Sequence, residues 1–168
     1  MIARKLVCAI VITQKIIVKN SIEVLMSDII KEALKERIKE HEGYRLDTYI
    51  DTLGFKTGGY GHKMLPGEEP PRDKEGWDKI FEQDFDKAWN LMEKLCIENE
   101  LDLPIKAKGI ICEMIFQMGY GGVSKFKNMI KYLKEGNFPD AANEMLRSQW
   151  YRQTPNRARA LSMEMRDI

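Results

Sequence analysis

The chain has 168 residues, 43% hydrophobic and 32% charged, with a formal net charge of +1. That is enough for one domain, or a small domain with two lobes, around a real core. Neither sign of charge forms long blocks, so the basic footprint of a dedicated nucleic-acid binder is missing.

Arg4 and Lys5 precede the apolar run LVCAIVI, which has the look of a signal-type segment. The run is cut by Gln14 and Lys15 and is shorter than the roughly 20 apolar residues a bilayer span takes. No A-x-A cleavage site follows. The reading favoured for residues 1–26 is therefore an extra strand, an ordered arm or a misassigned start, with export or anchoring as the rival. From Ser27, a candidate N-cap, residues 27–41 form an amphipathic helix with Ile30, Leu34 and Ile38 on one face. Gly43 lets the chain leave that helix, which places Glu42 in its last turn.

Short strands are expected at Tyr49–Asp51 and Phe55–Tyr60, around Thr52-Leu53-Gly54. Asp51 and Thr57 then flank the turn on adjacent strands. Tyr49 and Tyr60 are read as packing groups. The stretch KMLPGEEPPRDKEG is a loop. Residues 76–98 carry Trp77, Ile80, Phe81, Phe85, Ala88, Trp89, Met92 and Leu95 at helical spacing. Pro104 opens IKAKGIICEMIFQM, apolar nearly all round and so expected to be a buried central helix ended by Gly119. Ser124 is expected to cap a helix through Leu133, stopped by Gly136, and Pro139 to sit in the first turn of another running to about Ser148. A last helix starts at Thr154-Pro155. The class is α+β, mostly α. Cys8, Cys96 and Cys112 are widely spaced, odd in number and without metal-ligand spacing, so they are read as reduced, mostly buried thiols. With only two histidines in the chain, a His-rich metal site is also excluded.

Two features invite a functional reading. Glu42 and Asp51 lie nine residues apart on different supports. Glycoside hydrolysis needs two carboxyl groups, one donating a proton and one ionised, and different environments let those states diverge. An acid pair at this spacing is also what a solvated surface shows. The second feature is Arg157, at the third position of the last helix. A capping box places Glu or Gln there, and a cation near a helix N-terminus is disfavoured by up to about 1 kcal/mol. A cation aimed at a carboxylate would explain it.

The stretch Glu42-Gly43-x5-Tyr49-x-Asp51-x2-Gly54-x2-Thr57-x-Gly59-x-Gly61-His62 resembles the catalytic signature of the phage-type lysozymes (endolysins), those of the T-even bacteriophages in particular. KIFEQDFDKAW, MIFQMGYGGVSKF and SQWYRQTPNRARA resemble further blocks of that family in the same order, covering residues 34–160. The resemblance implies a two-lobed fold. Residues 27–168 would be the lysozyme domain, with a small β lobe at 43–75, a connecting helix at 76–98 and a helical lobe at 99–168. Residues 1–26 would be an extension without an assigned role. It implies Glu42 as proton donor, Asp51 as the carboxylate positioning the attacking water, and Thr57 sharing that water. Arg157 would contact the glutamate, His62 would pair with Asp84, and Gln117 and Trp150 would line the cleft.

The implied activity is hydrolysis of the β-1,4 bond between N-acetylmuramic acid and N-acetylglucosamine in peptidoglycan, with inversion, by a monomer needing no metal or organic cofactor. The partner is the bacterial wall, not nucleic acid, and no stable membrane span is expected. The enzyme would be made in the bacterial cytoplasm and act on the wall. The rivals are a lytic transglycosylase, which uses no water-positioning Asp, and a non-catalytic wall-binding module. Three departures stand out. His41 occupies a position where this family has an acid, and a histidinium there favours the ionised form of the neighbouring carboxyl, against its service as a donor. The interval from His62 to Asp84 is short, which is expected to shorten the cleft. An early C-terminal end is expected to trim the last packing element.

Overall fold

The computed structural model describes the backbone of residues 2–52 and 54–168, and the side chains of residues 21, 22, 24–52 and 54–168. In chain order the elements are α1 (Ile2–Glu42), β1 (Arg45–Ile50), β2 (Lys56–Gly59), β3 (His62–Lys63), α2 (Lys74–Glu98), α3 (Ile105–Val123), α4 (Lys127–Lys134), α5 (Phe138–Leu146), α6 (Gln149–Gln153) and α7 (Pro155–Arg166). The chain is mostly helical with one small antiparallel sheet, ordered β1-β2-β3.

The N-terminal expectation is corrected. Residues 2–26 are not a strand; they continue the helix, and Ser27 lies in its interior rather than at its cap. No glycine or proline occurs before Gly43, so nothing in the backbone breaks the run. The side chain of Cys8 lies outside the described residues; Cys96 and Cys112 are free and buried. Among the described residues no helix is long and apolar enough to cross a membrane.

The core forms where α1, α2, α3 and α7 meet. Leu34 and Ile38 of α1, Phe81, Phe85 and Met92 of α2, Ile111 and Met114 of α3, and Leu161 and Met165 of α7 are all buried in one cluster. Three lysines of α1 are not simply solvated. Lys31, Lys35 and Lys39 lie 4.5, 5.2 and 4.9 Å from the ring centres of Trp89, Phe85 and Phe81. Cations over ring faces and apolar stems along ring edges let α1 cover the aromatic row of α2.

The helical segment after α2 differs in detail from the sequence expectation. Gly119, at φ 73° and ψ 164°, leaves helical geometry and ends the first run of α3 as expected, and a further helical turn follows to Val123. Ser124 is the C-cap of α3, not the N-cap of α4; its hydroxyl donates to the Gly121 carbonyl. The helix expected to reach Ser148 stops at Leu146, and Ser148 instead caps the short α6, accepting from the Tyr151 N–H. In each case a serine able to bond either way served the helix that packing left adjacent to it.

Trp77 and His62 mark two of the points at which the sheet is fastened to α2. Trp77 is buried and donates from Nε1 to the Leu46 carbonyl at 2.9 Å. Its ring lies under Gly58 and Gly59, where an added Cβ would come within 2.5 and 2.4 Å of ring carbons. Gly59 also sits at φ +59°. The glycines thus make room for a tryptophan. The second point is His62, whose Nδ1 lies 2.7 Å from Asp84 Oδ2 while Nε2 lies 3.2 Å from Glu68. Tyr60 is buried against Phe81 as expected, whereas Tyr49 is 37% exposed, under the Arg45 guanidinium rather than in the core. Arg45, Asp47 and Tyr49, alternate residues of β1, are all exposed.

Two outcomes follow from these fastenings. Gly59→Ala combines a left-handed backbone with a clash on Trp77 and should cost about 2–4 kcal/mol in urea unfolding. His62 is raised above its ordinary 6.5, first by the hydrogen bond to Asp84. Its contribution is therefore full below pH 6.5 and lost as pH rises through the raised value. Glu68 is held below its ordinary 4.5, first by the Leu65 N–H, so its contribution is present above 4.5 and lost on acidification. His62→Asn should cost about 1–3 kcal/mol. Its deficit, measured by urea unfolding across pH, should be largest between pH 4.5 and 6.5 and shrink as pH rises through the raised His62 value.

Candidate active site

Glu42 is the last residue of α1 because Gly43, at φ +70°, turns the chain out of the helix with its N–H on the Lys39 carbonyl at 3.0 Å. The exit leads directly into β1, so the end of α1 and the sheet are neighbours by chain connection. The turn between β2 and β3 approaches from the other side: a Cβ at Gly61 would lie 3.6 Å from Glu42 Oε2.

α7 supplies the cation. Thr154 precedes the helix and its hydroxyl donates back to the Trp150 carbonyl, so no side chain caps the first turn. Arg157 occupies the third position, with its side chain only 9% exposed. Its Nη1 donates to Glu42 Oε1 at 2.8 Å and its Nε to Glu113 Oε1 at 2.9 Å. The misfit at the helix start is explained: α7 carries no acid of its own in its first turn, and two carboxylates from α1 and α3 supply the negative charge. Glu42 and Arg157, with His41, Gln117, Thr154 and Asn156, line a cavity of about 440 Å³.

Asp51 lies one residue beyond β1 and closes the β1–β2 turn. Its N–H donates to the Phe55 carbonyl at 2.8 Å, and its Oδ1 accepts from the Phe55 N–H at 2.8 Å. Lys63 Nζ stands 3.9 Å from Oδ2. Thr57, in β2, is buried and donates its hydroxyl proton to the Phe55 carbonyl at 3.2 Å. The same residue, Phe55, therefore orients both groups through its backbone. With its proton committed inward, the Thr57 oxygen is left with lone pairs to accept from another donor.

The remaining sequence candidates separate into two groups. Gln117 lines the cavity with Glu42 and accepts from Trp150 Nε1 at 2.7 Å. Trp150 itself is 6% exposed and faces a second hollow, of about 560 Å³, beside Phe126 and Arg147. It orients Gln117 more than it offers a surface at the cavity of Glu42. His62 and Asp84 tie β3 to α2 and line neither hollow. Among the described residues there is no group of three or more His, Cys, Asp or Glu side chains that could hold a metal ion.

One residue escaped the sequence reading. Glu113 is fully buried in the middle of α3. Besides Arg157 it meets His41 Nδ1 at 2.7 Å and Arg37 Nε at 2.8 Å. The signal was present: a single acid in IKAKGIICEMIFQM, a helix otherwise apolar through its centre. Charged residues are almost never fully buried without partners, so such an acid announces cations elsewhere in the chain.

The sequence has counterparts in known proteins. The family model described as phage lysozyme matches residues 39–164. The chain is 34% identical over 153 residues to probable T4-type lysozyme 2 of Dictyostelium discoideum, covering 75% of this chain and 89% of that protein. It is 28% identical to the pre-baseplate central spike protein Gp5 of Enterobacteria phage T4, over 78% of this chain and 27% of that one. It is 29% identical to the peptidoglycan hydrolase gp36 of Pseudomonas phage phiKMV, over 87% and 16%. With its carboxylate and arginine at the junction of α1, α7 and a three-stranded sheet, this chain belongs to the phage lysozyme family.

Proposed function

We propose that the protein is a peptidoglycan hydrolase that cleaves the β-1,4 bond between N-acetylmuramic acid and N-acetylglucosamine, with inversion at the anomeric carbon. The observation that carries this reading is Glu42, held by one arginine nitrogen at the rim of a cavity and faced by the β2–β3 turn. Membership of the lysozyme family and a relative named as a peptidoglycan hydrolase support the substrate class.

In this reading Glu42 protonates the glycosidic oxygen as the bond to the anomeric carbon breaks. Asp51 accepts a proton from a water that attacks the opposite face. Thr57, whose own proton is committed to the Phe55 carbonyl, accepts the second hydrogen bond from that water. Two bonds to fixed acceptors align the water oxygen with the carbon, which is where positioning lowers the barrier. A base acting through water gives inversion, whereas direct attack by a carboxylate would retain configuration. A lytic transglycosylase needs no residue in the Asp51 role, and a wall-binding module needs neither acid. The setting is the wall of a bacterium, reached by an enzyme made in the cytoplasm.

Digestion of purified peptidoglycan with mass analysis of the fragments tests this. The wild type should release reducing muramic ends, and Glu42→Gln should lower the rate about 10²–10⁴-fold. Anhydro ends would convert the assignment to a transglycosylase. Wall binding by a folded protein without fragments would convert it to a binding module. Asp51→Asn should cost turnover on a similar scale, about 10²-fold or more, with binding of the strands retained. NMR of the first-formed product should show the α-anomer; the β-anomer would overturn inversion.

A further inference from the structure

With Glu42 and Arg157 assigned, Glu113 is left without a task, although it is the most completely buried charged side chain of the region. Its partners come from two helices. From α1, His41 Nδ1 lies 2.7 Å from Oε1, and Arg37 Nε lies 2.8 Å from Oε2 as an ion pair lacking straight hydrogen-bond geometry. From α7, Arg157 Nε donates to Oε1 at 2.9 Å. Arg37 continues to Glu164 of α7 through Nη1 at 2.8 Å. Arg37, His41, Glu42, Glu113, Arg157 and Glu164 are the charged and titratable groups that meet here from the three helices.

Two physical consequences concern Glu42. A guanidinium is a rigid planar fork, so fixing Nε on Glu113 fixes where Nη1 presents itself to Glu42. And a cation beside a carboxyl favours the ionised form, which is the wrong form for a proton donor. Two arginines and a histidine converge on Glu113, the fully buried anion of the group, and one of them, Arg157, also bonds Glu42. Next to Glu42 in α1 stands His41, so the buried negative charge that answers these cations comes from α3.

We infer that Glu113 is the positioning residue of the proton donor: it anchors Arg157 and balances the cations beside Glu42, so that the Glu42 carboxyl is held in place at the rim of the cavity. This rests on Glu42 being the proton donor. Glu113 touches no substrate in this account and acts only through Arg157, His41 and Glu42.

The test uses the full chain acting on soluble, uncross-linked peptidoglycan strands, with kcat and KM followed from about pH 4 to 9. The variants are Glu42→Gln, Glu113→Gln, Glu113→Asp and the double variant His41→Asp/Glu113→Gln, each corrected for folded fraction. Glu113→Gln should lower kcat about tenfold near pH 7, leave KM within about twofold, and move the alkaline limb of kcat about one unit toward acid. Glu113→Asp, which keeps the charge, should keep the alkaline limb, and the double variant, which places an acid at position 41 instead, should recover most of kcat. A folded Glu113→Gln enzyme with wild-type kcat and alkaline limb overturns the inference while leaving Glu42 as the acid. If Glu113→Gln does not fold, the double variant decides: recovery supports the inference, and a folded double variant as slow as Glu42→Gln overturns it. Wild-type turnover by Glu42→Gln would overturn the acid assignment and this inference together.

Discussion

Three helices meet at one buried carboxylate. Taking a carboxylate out of water carries a penalty of several kcal/mol that only well-placed cations and hydrogen bonds offset. Glu113 meets that condition through Arg37 and His41 from α1 and Arg157 from α7. The constraint runs both ways. α3 can bury an acid only where α1 and α7 deliver cations, and those helices are registered on α3 by the positions of their charged groups. Apolar packing of Leu34, Ile38, Leu161 and Met165 brings the helices together, but such contacts tolerate sliding in a way that two bonds to one oxygen do not.

The catalytic reading inherits its geometry from that junction. Glu42 ends α1 five residues after Arg37 and one after His41, so fixing those two side chains fixes the last turn from which Glu42 projects. Arg157 then bridges Glu113 and Glu42 with two nitrogens of one planar group. The helical part of the molecule orients Glu42, the group read as the proton donor. The sheet orients the groups read as water-positioning, through the single residue Phe55.

The sheet is small and could not hold that geometry alone, since short antiparallel strands need a packed face to be stable. Trp77 supplies it, pressed against two glycines and bonded to the Leu46 carbonyl, and His62 adds a polar tie to Asp84. The same α2 that carries these groups buries Phe81, Phe85 and Met92 in the main core. Strands and helices are thus braced by one continuous helix.

Local rules decided much of this in the sequence itself. The end of α1 at Glu42-Gly43, the buried stripe of α2 and the start of α7 at Pro155 follow from glycine, apolar spacing and proline, which act through neighbouring residues. The spacing of Glu42, Asp51 and Thr57 was legible as a family pattern, and Arg157 as a misfit awaiting an anion. The long reach of α1 back to Ile2 was not, because Ser27 is equally at home as a cap or inside a helix. Nor were the roles of Ser124 and Ser148, whose hydroxyls can donate or accept. Which cations answer Glu113, why Gly58 and Gly59 are glycines, and that Trp150 faces a second hollow were decided only by the tertiary structure. Each depends on atoms from segments dozens of residues apart, and no local periodicity encodes a meeting between residues 37, 41, 113 and 157.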